Sequence, residues 1–494
     1  MSRRRLAPGA IALLSLCLPS FAGAQEAVKP AEPPKSGATT ATLLGQPADV
    51  YAGRRAALMT RVAEVLRSPT PDDRALRGRE PLIVLRGADE PELEGKFRQG
   101  NDFAYLTGVA IPSAVLVLRP AANGGKGESV LYLPPASPFG GTFTVAHEGP
   151  SPELAARLGI DRVEPTSRLL ADLFGAMADP MRPQRRGPAV LFARNVEGAR
   201  TAGTPEARLV ALLREGAPST PARDLNPHLA ALRVEKAESE VALLRRAIAA
   251  TGAGLDAATR LLRPGVSEAA LEGALLNGFL AHGAQRAGFA SIVGAGKNAA
   301  IPHYFDNAAT VQDGDLVVMD VGAEVELYTA DITRTLPASG RFTPRQREVY
   351  QLVLDAQKAA EEEVKAKAGK VSLNDLTRFV RDYFKKSPLR AKDAAGQEQT
   401  MDRFFVHGLG HYLGMDVHDV GPTGTPLPVG AVFTIEPGLY LKGEGFGVRI
   451  EDDYLLTKDG LEKLSRDIPS DPDAIERLMA ERPGVVAAPG NGAP

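Results

Sequence analysis

The sequence predicts two domains of mixed architecture, an α/β domain followed by an α+β domain in which helices cover one face of a mostly antiparallel sheet. Length is the first reason: 494 residues at about 150 residues per domain suggests two or three domains. The second is that helix-period segments alternate with short apolar runs in the first half. The third is the dominance of strand-type segments from residue 291 onward, broken by turns.

Composition narrows the function classes. Hydrophobic residues make up 44% and charged residues 24%, with a formal net charge of −2 at pH 7. These are ordinary values for a globular protein and offer no bulk attraction to nucleic acid or an anionic membrane.

At the N-terminus, Arg3, Arg4 and Arg5 precede an apolar run from Ile11 to Leu18 and the small residues Ala22-Gly23-Ala24. Residues 1–24 are therefore expected to be a signal peptide, and the protein to be exported, periplasmic or extracellular. The run is shorter than the roughly 20 apolar residues of a spanning helix and carries Pro19. Ser2-Arg3-Arg4 followed by Leu6 weakly resembles a twin-arginine signal, so both export routes stay open. Cys17, the only cysteine, lies inside this segment, and a mature chain without thiol or disulfide is expected. Residues 25–50 read as a flexible spacer and 483–494, rich in Gly, Pro and Ala, as a disordered tail.

The first domain, residues 51–228, opens with helical periodicity through Val62–Leu66. Leu82–Leu85 is an apolar run of buried-strand type, and Ala114–Leu118 with Val130–Leu133 form a hairpin pattern around Asn123-Gly124-Gly125-Lys126-Gly127. Val190–Phe192 adds another strand. The segment Phe97–Gly108 mixes polar and aromatic residues in a way that neither a core strand nor a surface helix explains.

An amphipathic helix over Leu229–Ala250 leads into the second domain, residues 229–482. Pro264-Gly265 breaks a helical stretch, and Ser267 suits the cap of a helix running through Leu271, Leu275 and Phe279. A further helix is predicted over Pro344–Lys367, with strands over Ser291–Val293, Leu316–Val321, Tyr328–Thr335, Val432–Ile435 and Phe446–Leu456.

Five side chains in this half stand where chemistry is expected. The period of two puts Leu316, Val318 and Asp320 on one strand face, so Asp320 ends an apolar row. A lone carboxylate there would be costly to bury without a cation or strong donors. Asp331 follows after a turn, and antiparallel pairing would bring both carboxylates together. Glu436 precedes Pro437-Gly438, and Arg449 and Glu451 share a strand face. With His411, the four carboxylates form an oxygen-rich donor set of charge −4, which matches two divalent cations and favours manganese, cobalt or zinc over copper. Of seven histidines, five fall in this domain, among them His303, His407, His411 and His418. No HExxH string is present, and the glycines of His407-Gly408-Leu409-Gly410-His411 oppose a zinc-protease helix.

Asp320-Val321-Gly322, Asp331-Ile332-Thr333-Arg334-Thr335, His407 to His411, Asp416-Val417-His418-Asp419-Val420-Gly421, Glu436-Pro437-Gly438 and Arg449-Ile450-Glu451-Asp452-Asp453 resemble, in order, the motifs of aminopeptidase P. These are the Xaa-Pro aminopeptidases of peptidase family M24, in the creatinase and methionine aminopeptidase superfamily. The Phe97–Gly108 segment is similar to an Arg-Gln and Asp-Phe stretch in the family's N-terminal domain, which extends the resemblance from about Tyr51 to about Ala480.

The resemblance implies a pita-bread catalytic domain preceded by an α/β creatinase-like domain. It further implies a dinuclear manganese centre, with cobalt or zinc as alternatives, and removal of the N-terminal residue before proline through a metal-bridging hydroxide. Proline-containing peptides are the implied partners, and relatives often form dimers or tetramers. By motif, Asp320 would chelate one metal, Asp331 and Glu451 would bridge both, and His411 and Glu436 would complete opposite sides. Glu436 would also shuttle the proton of the nucleophile. His303, His407 and His418 would donate to substrate and tetrahedral intermediate, and Arg449 would orient the site. Phe289 departs from relatives with tyrosine there.

Two alternatives remain, a prolidase on the same ligands and a peptide-binding relative without activity. The short span from Val420 to Glu436 leaves little room for the insertion of many prolidases, and none of the five ligands is missing. Gly294-Ala295-Gly296-Lys297-Asn298 fails as a phosphate loop, since Ser291 and Asn298 occupy its defining Gly and Ser/Thr positions. No serine nucleophile elbow is present.

Overall fold

The computed structural model describes residues 42–481 except 68–73, 75, 92–95, 122–124, 137–146, 178–188, 195, 197–202 and 368. The expected signal peptide with Cys17, most of the expected spacer and the expected tail lie outside the described residues. Regular structure starts before Tyr51: strands Thr42–Leu43 and Gln46–Pro47 pair, and the helix Ala48–Arg67 follows at once. The Tyr51 hydroxyl donates to the Leu43 carbonyl at 2.5 Å, tying the two together.

The first half is built on a six-stranded mixed sheet. Its order is Arg162–Pro165, Glu128–Leu133, Val115–Arg119, Pro81–Arg86, Val190–Ala193 and Ala222–Asp224. The hairpin read from the glycine-rich turn is present, with Val117 opposite Val130. Alternate residues serve two cores: Ile83, Leu85, Leu116 and Leu118 join the main cluster, while Leu82, Val84, Val115 and Val117 join a second one. Burial on both faces explains why these strands are continuous apolar runs rather than alternating ones.

The predicted helix Leu229–Ala250 is two helices, Asn226–Arg233 and Glu238–Leu261. The chain breaks where Arg233 and Lys236 turn to a buried carboxylate, Asp419 (2.6 and 2.9 Å), and where the Lys236 amide donates to the Gly430 carbonyl at 2.8 Å. Ser267 caps Glu268–Ala281 by accepting from the Ala270 amide at 3.1 Å. Thr343 and Gln346 form a capping box at the start of Pro344–Ala366.

The strands of the second half form several two- and three-stranded antiparallel pieces rather than one sheet. Ile292–Ala295, Leu316–Val321 and Ile332–Pro337 make one of them, with Asp320 opposite Thr333. The predicted strand Tyr328–Thr335 splits into Tyr328–Thr329 and Ile332–Pro337, because the Asp331 amide leaves the ladder for the Asp453 carboxylate at 3.2 Å. The predicted strand Phe446–Leu456 splits at Ile450-Glu451. Its first part pairs with Gly438–Leu441 and its second with Val432–Ile435. The apolar cluster of the second half is continuous with that of the first half, from Leu58 through Val241 and Val349 to Met479. Among the described residues, no helix is long and apolar enough to cross a membrane.

Candidate metal centre

The breaks in the strands are where the acidic side chains sit. Asp320 lies one residue from the end of Leu316–Val321, Asp331 one residue before Ile332–Pro337, and Glu451 between the two partner-switching strands. Glu436 follows Val432–Ile435, with its amide donating to the Leu409 carbonyl at 2.8 Å. The same contact seats the loop carrying His411, whose amide donates to Thr434 Oγ1 at 3.1 Å.

These elements converge on one point. Single donor atoms of Asp331, His411 and Glu451 lie within 4.8 Å of one another. His411 Nε2 is 3.3 Å from Asp331 Oδ2, 3.5 Å from Glu436 Oε1 and 3.9 Å from Glu451 Oε1. Its Nδ1 lies 3.0 Å from the Tyr412 carbonyl, which fixes the proton there and leaves the Nε2 lone pair facing the carboxylates. Asp320 joins through Asp331, whose carboxyl it contacts.

Electrostatics make this arrangement costly without a cation. Burial, then the neighbouring Asp320, Asp453 and Glu436, hold Asp331 well above the usual carboxylate range. Burial, then Asp331, Glu436 and Asp320, do the same to Glu451 against the opposing effect of Arg449. Asp320 Oδ1 and Asp331 Oδ1 are buried without a hydrogen-bond partner. Buried carboxylate oxygens without a hydrogen-bond partner, beside an imidazole nitrogen close to three further carboxylate oxygens, are the donors a hard divalent cation takes, so the residues fit the implied metals.

Around the carboxylates, hydrogen bonds form one directed chain. Arg449 donates from Nη2 to Asp320 Oδ2 at 2.7 Å, from Nη1 to the Tyr440 hydroxyl at 2.7 Å and from Nε to Thr333 Oγ1 at 3.1 Å. The Thr333 hydroxyl in turn donates to Glu451 Oε2 at 2.6 Å. His407 Nδ1 lies 2.7 Å from the Gly408 carbonyl and so donates there, leaving Nε2 to accept from Tyr440 at 2.8 Å.

The remaining expected residues are placed differently. The His418 ring packs edge-on against His411 with centroids 4.3 Å apart. Burial lowers the pKa of both His407 and His418, favouring neutral imidazoles. His303 is the least tied in: it stacks on Phe305 at 6.0 Å and lies close enough that a charge on it would depress His407 and His418. The Phe289 ring lies beside Gly322, where an added Cβ would come 2.8 Å from its edge.

Sequence reasoning passed over Tyr440, Thr333 and Asp453. The signals were a lone hydroxyl in the apolar strand Gly438–Leu441, four residues after Glu436, and three consecutive acids at Glu451-Asp452-Asp453. Their burial in a strand requires partners. Asp452 finds Arg334 at 2.6 Å and Lys463 at 2.7 Å, whereas Asp453 supports the backbone of Asp331.

Residues 242–458 match the metallopeptidase family M24, and residues 51–182 the aminopeptidase P N-terminal domain. The Xaa-Pro aminopeptidase of Escherichia coli is 34% identical over 425 residues, covering 80% of this chain and 91% of the relative. Xaa-Pro aminopeptidase 2 of Streptomyces coelicolor is 34% identical over 419 residues, covering 78% and 84%. A structure of a putative aminopeptidase P from Bacillus anthracis superposes with a TM-score of 0.74 at 29% identity, covering 88% of this chain and 99% of that one. A glutamate-to-alanine variant of E. coli aminopeptidase P in complex with substrate gives 0.73 at 28% identity, covering 88% and 98%. With the carboxylate and histidine cluster in place on this two-part fold, the chain belongs to the aminopeptidase P family of M24 metallopeptidases.

Proposed function

We propose that the chain is an exported aminopeptidase that hydrolyses the N-terminal Xaa-Pro bond of peptides, using two divalent ions, manganese first among them, held by Asp320, Asp331, His411, Glu436 and Glu451. The observation that carries this is the convergence of those five side chains with two buried carboxylate oxygens left unpartnered, on a chain whose curated relatives are named Xaa-Pro aminopeptidases. Ions bound there supply Lewis acidity, lowering the pKa of a coordinated water and polarising the scissile carbonyl.

The chain's own residues handle binding and protons. The substrate's N-terminal ammonium is drawn to the acidic cluster. The leaving proline nitrogen must acquire a proton as the bond breaks, and Glu436 is the carboxylate to deliver it after taking it from the nucleophile. Its Oε2 lies 3.8 Å from His407 Nδ1. Both nitrogens of His407 are engaged with Gly408 and Tyr440. His418 is therefore the better donor to an oxyanion, and His407 a positioning group. Arg449 fixes Asp320 and, through Thr333, Glu451 in the orientation that presents their free oxygens to the ions.

The test is manganese-dependent hydrolysis of Xaa-Pro-Xaa tripeptides beside Xaa-Pro dipeptides, with a Glu436→Ala control. Cleavage of tripeptides, reduced at least about a thousandfold in the control, is the expected outcome. Activity confined to dipeptides would make the protein a prolidase, and metal binding without hydrolysis would leave a peptide-binding relative. Export rests on the pattern of residues 1–24; a mature chain that does not begin near Gln25 would contradict it.

A further inference from the structure

We propose that Glu268 is a positioning residue for the reaction: its carboxylate closes the base of the loop 296–308 and, through Tyr304, sets where His303 stands. This rests on the aminopeptidase reading above. Glu268 opens the helix capped by Ser267 and is fully buried. A carboxylate taken that far from water needs donors converging on it. Oε1 accepts from the Ala295 amide at 2.7 Å and from Asn298 Nδ2 at 3.1 Å. Oε2 accepts from the Ala309 amide at 2.7 Å and from the Tyr304 hydroxyl at 2.9 Å. The Glu268 amide returns the contact, donating to the Ala309 carbonyl at 2.9 Å.

Ala295 and Ala309 flank the loop, so one side chain ties both of its ends together, and Asn298 and Tyr304 tie its interior to the same group. The Tyr304 hydroxyl also accepts from the Ala308 amide at 3.3 Å, which locks the segment between them. Glu272, four residues along the helix and on the same face, accepts from Asn307 Nδ2 at 3.0 Å. Asn307, buried with a left-handed φ of 46°, donates to the Ser291 carbonyl and accepts from the Val293 amide, both at 2.9 Å.

His303 stands in the middle of this frame. Its imidazole is exposed and its ring contact is with Phe305 of the same loop, so the backbone that carries it decides its position. That backbone is set against the site at two points. A Cβ on Gly447 would strike the Ala299 carbonyl, which seats the start of the loop on the strand Phe446–Arg449. The strand Ile292–Ala295 that leads into the loop places Ile292 opposite Asp320. His303 is near enough to His407 and His418 for its charge to act on both. Tyr304 is the next residue, so freeing its hydroxyl from Glu268 frees the histidine as well.

The test is a double-mutant cycle on the mature, manganese-loaded chain, read as kcat/KM for an Xaa-Pro-Xaa tripeptide beside bound manganese. Tyr304→Phe keeps the ring and removes the bond to Glu268. It should lower kcat/KM by about three- to tenfold with bound manganese unchanged. His303→Ala should be impaired by itself, and adding Tyr304→Phe to it should cost less than about twofold. Glu268→Gln turns an amide N–H toward two donors and should lose more, again only while His303 is present; if that variant does not fold, the Tyr304→Phe cycle decides. An equal loss from Tyr304→Phe in both backgrounds would show that the bond serves the fold at large and would overturn the proposal. Full activity in Tyr304→Phe or in His303→Ala would overturn it too, as would a loss of manganese in step with activity. No hydrolysis by the natural chain would overturn the aminopeptidase reading and the positioning role together.

Discussion

Arg449 sets the polar order of the site, because one guanidinium reaches Asp320, Tyr440 and Thr333 at once and is itself almost wholly buried. Its neighbours resolve the proton assignments: Tyr440 must accept from Arg449 and therefore donates to His407, and Thr333 must accept from Arg449 and therefore donates to Glu451. Burial, against the opposing effect of Arg449, pushes the Tyr440 hydroxyl up to about 12, so it stays a neutral donor across physiological pH. Tyr440→Phe removes one charge-assisted and one neutral hydrogen bond without changing shape. It should lower kcat/KM by about ten- to a hundredfold with little change in thermal stability. Steady-state kinetics beside a melting curve checks this; a full-rate variant would show that the chain from Arg449 to His407 has no part in the reaction.

At the scale of elements, the proposed ligands are placed by interruptions of strands, and close backbone approaches hold those interruptions. A Cβ on Gly410 would stand 2.0 Å from the Thr434 carbonyl, and one on Gly322 would stand 1.8 Å from the Ala330 carbonyl. The first contact seats His411 against the strand that delivers Glu436, and the second closes the hairpin that delivers Asp320 and Asp331. Gly410→Ala forces the loop bearing His411 away from the strand Val432–Ile435, at a cost of about 3 kcal/mol or more. The expected outcome is a lower melting temperature together with weakened manganese binding measured by calorimetry. Unchanged affinity would mean that His411 does not depend on this contact.

Over the whole molecule, the two halves are joined by charge as well as by a shared core. Arg233 meets Asp102 of the first half and Asp416 and Asp419 of the second, at 2.6, 2.7 and 2.6 Å, and Asp102 also pairs with Arg194 at 2.7 Å. Asp419 follows His418 directly, so this junction anchors the loop that bears His411 and His418. Arg233→Met leaves Asp419 with Lys236 alone and should cost about 3–5 kcal/mol in a denaturant titration; a loss under about 1 kcal/mol would show the junction to be incidental.

The same junction marks the limit of what the sequence discloses. Strands such as Leu316–Val321, the cap at Ser267 and the five acidic and histidine positions are legible because they depend on local periodicity or a motif in one stretch. The break between Asn226–Arg233 and Glu238–Leu261 is not, because it is caused by Asp419, nearly two hundred residues away. The split of the strands at Asp331 and Glu451 is hidden for the same reason, since their amides are taken by Asp453 and Thr333 across the fold. Tyr440 reads as core because its neighbours Leu439 and Leu441 are apolar, and only the fold shows Arg449 and His407 waiting for its hydroxyl.

The account turns on the carboxylate and histidine cluster being a two-metal site, and titration of the metal-free chain with manganese by calorimetry tests this most directly. The expected result is two ions per chain, with protons released on binding and affinity rising with pH, because burial and neighbouring carboxylates raise Asp331 and Glu451 and so favour their protonated forms until cations replace the protons. Binding of fewer than two ions, or two-ion binding that persists in Asp331→Asn and Glu451→Gln, would contradict it.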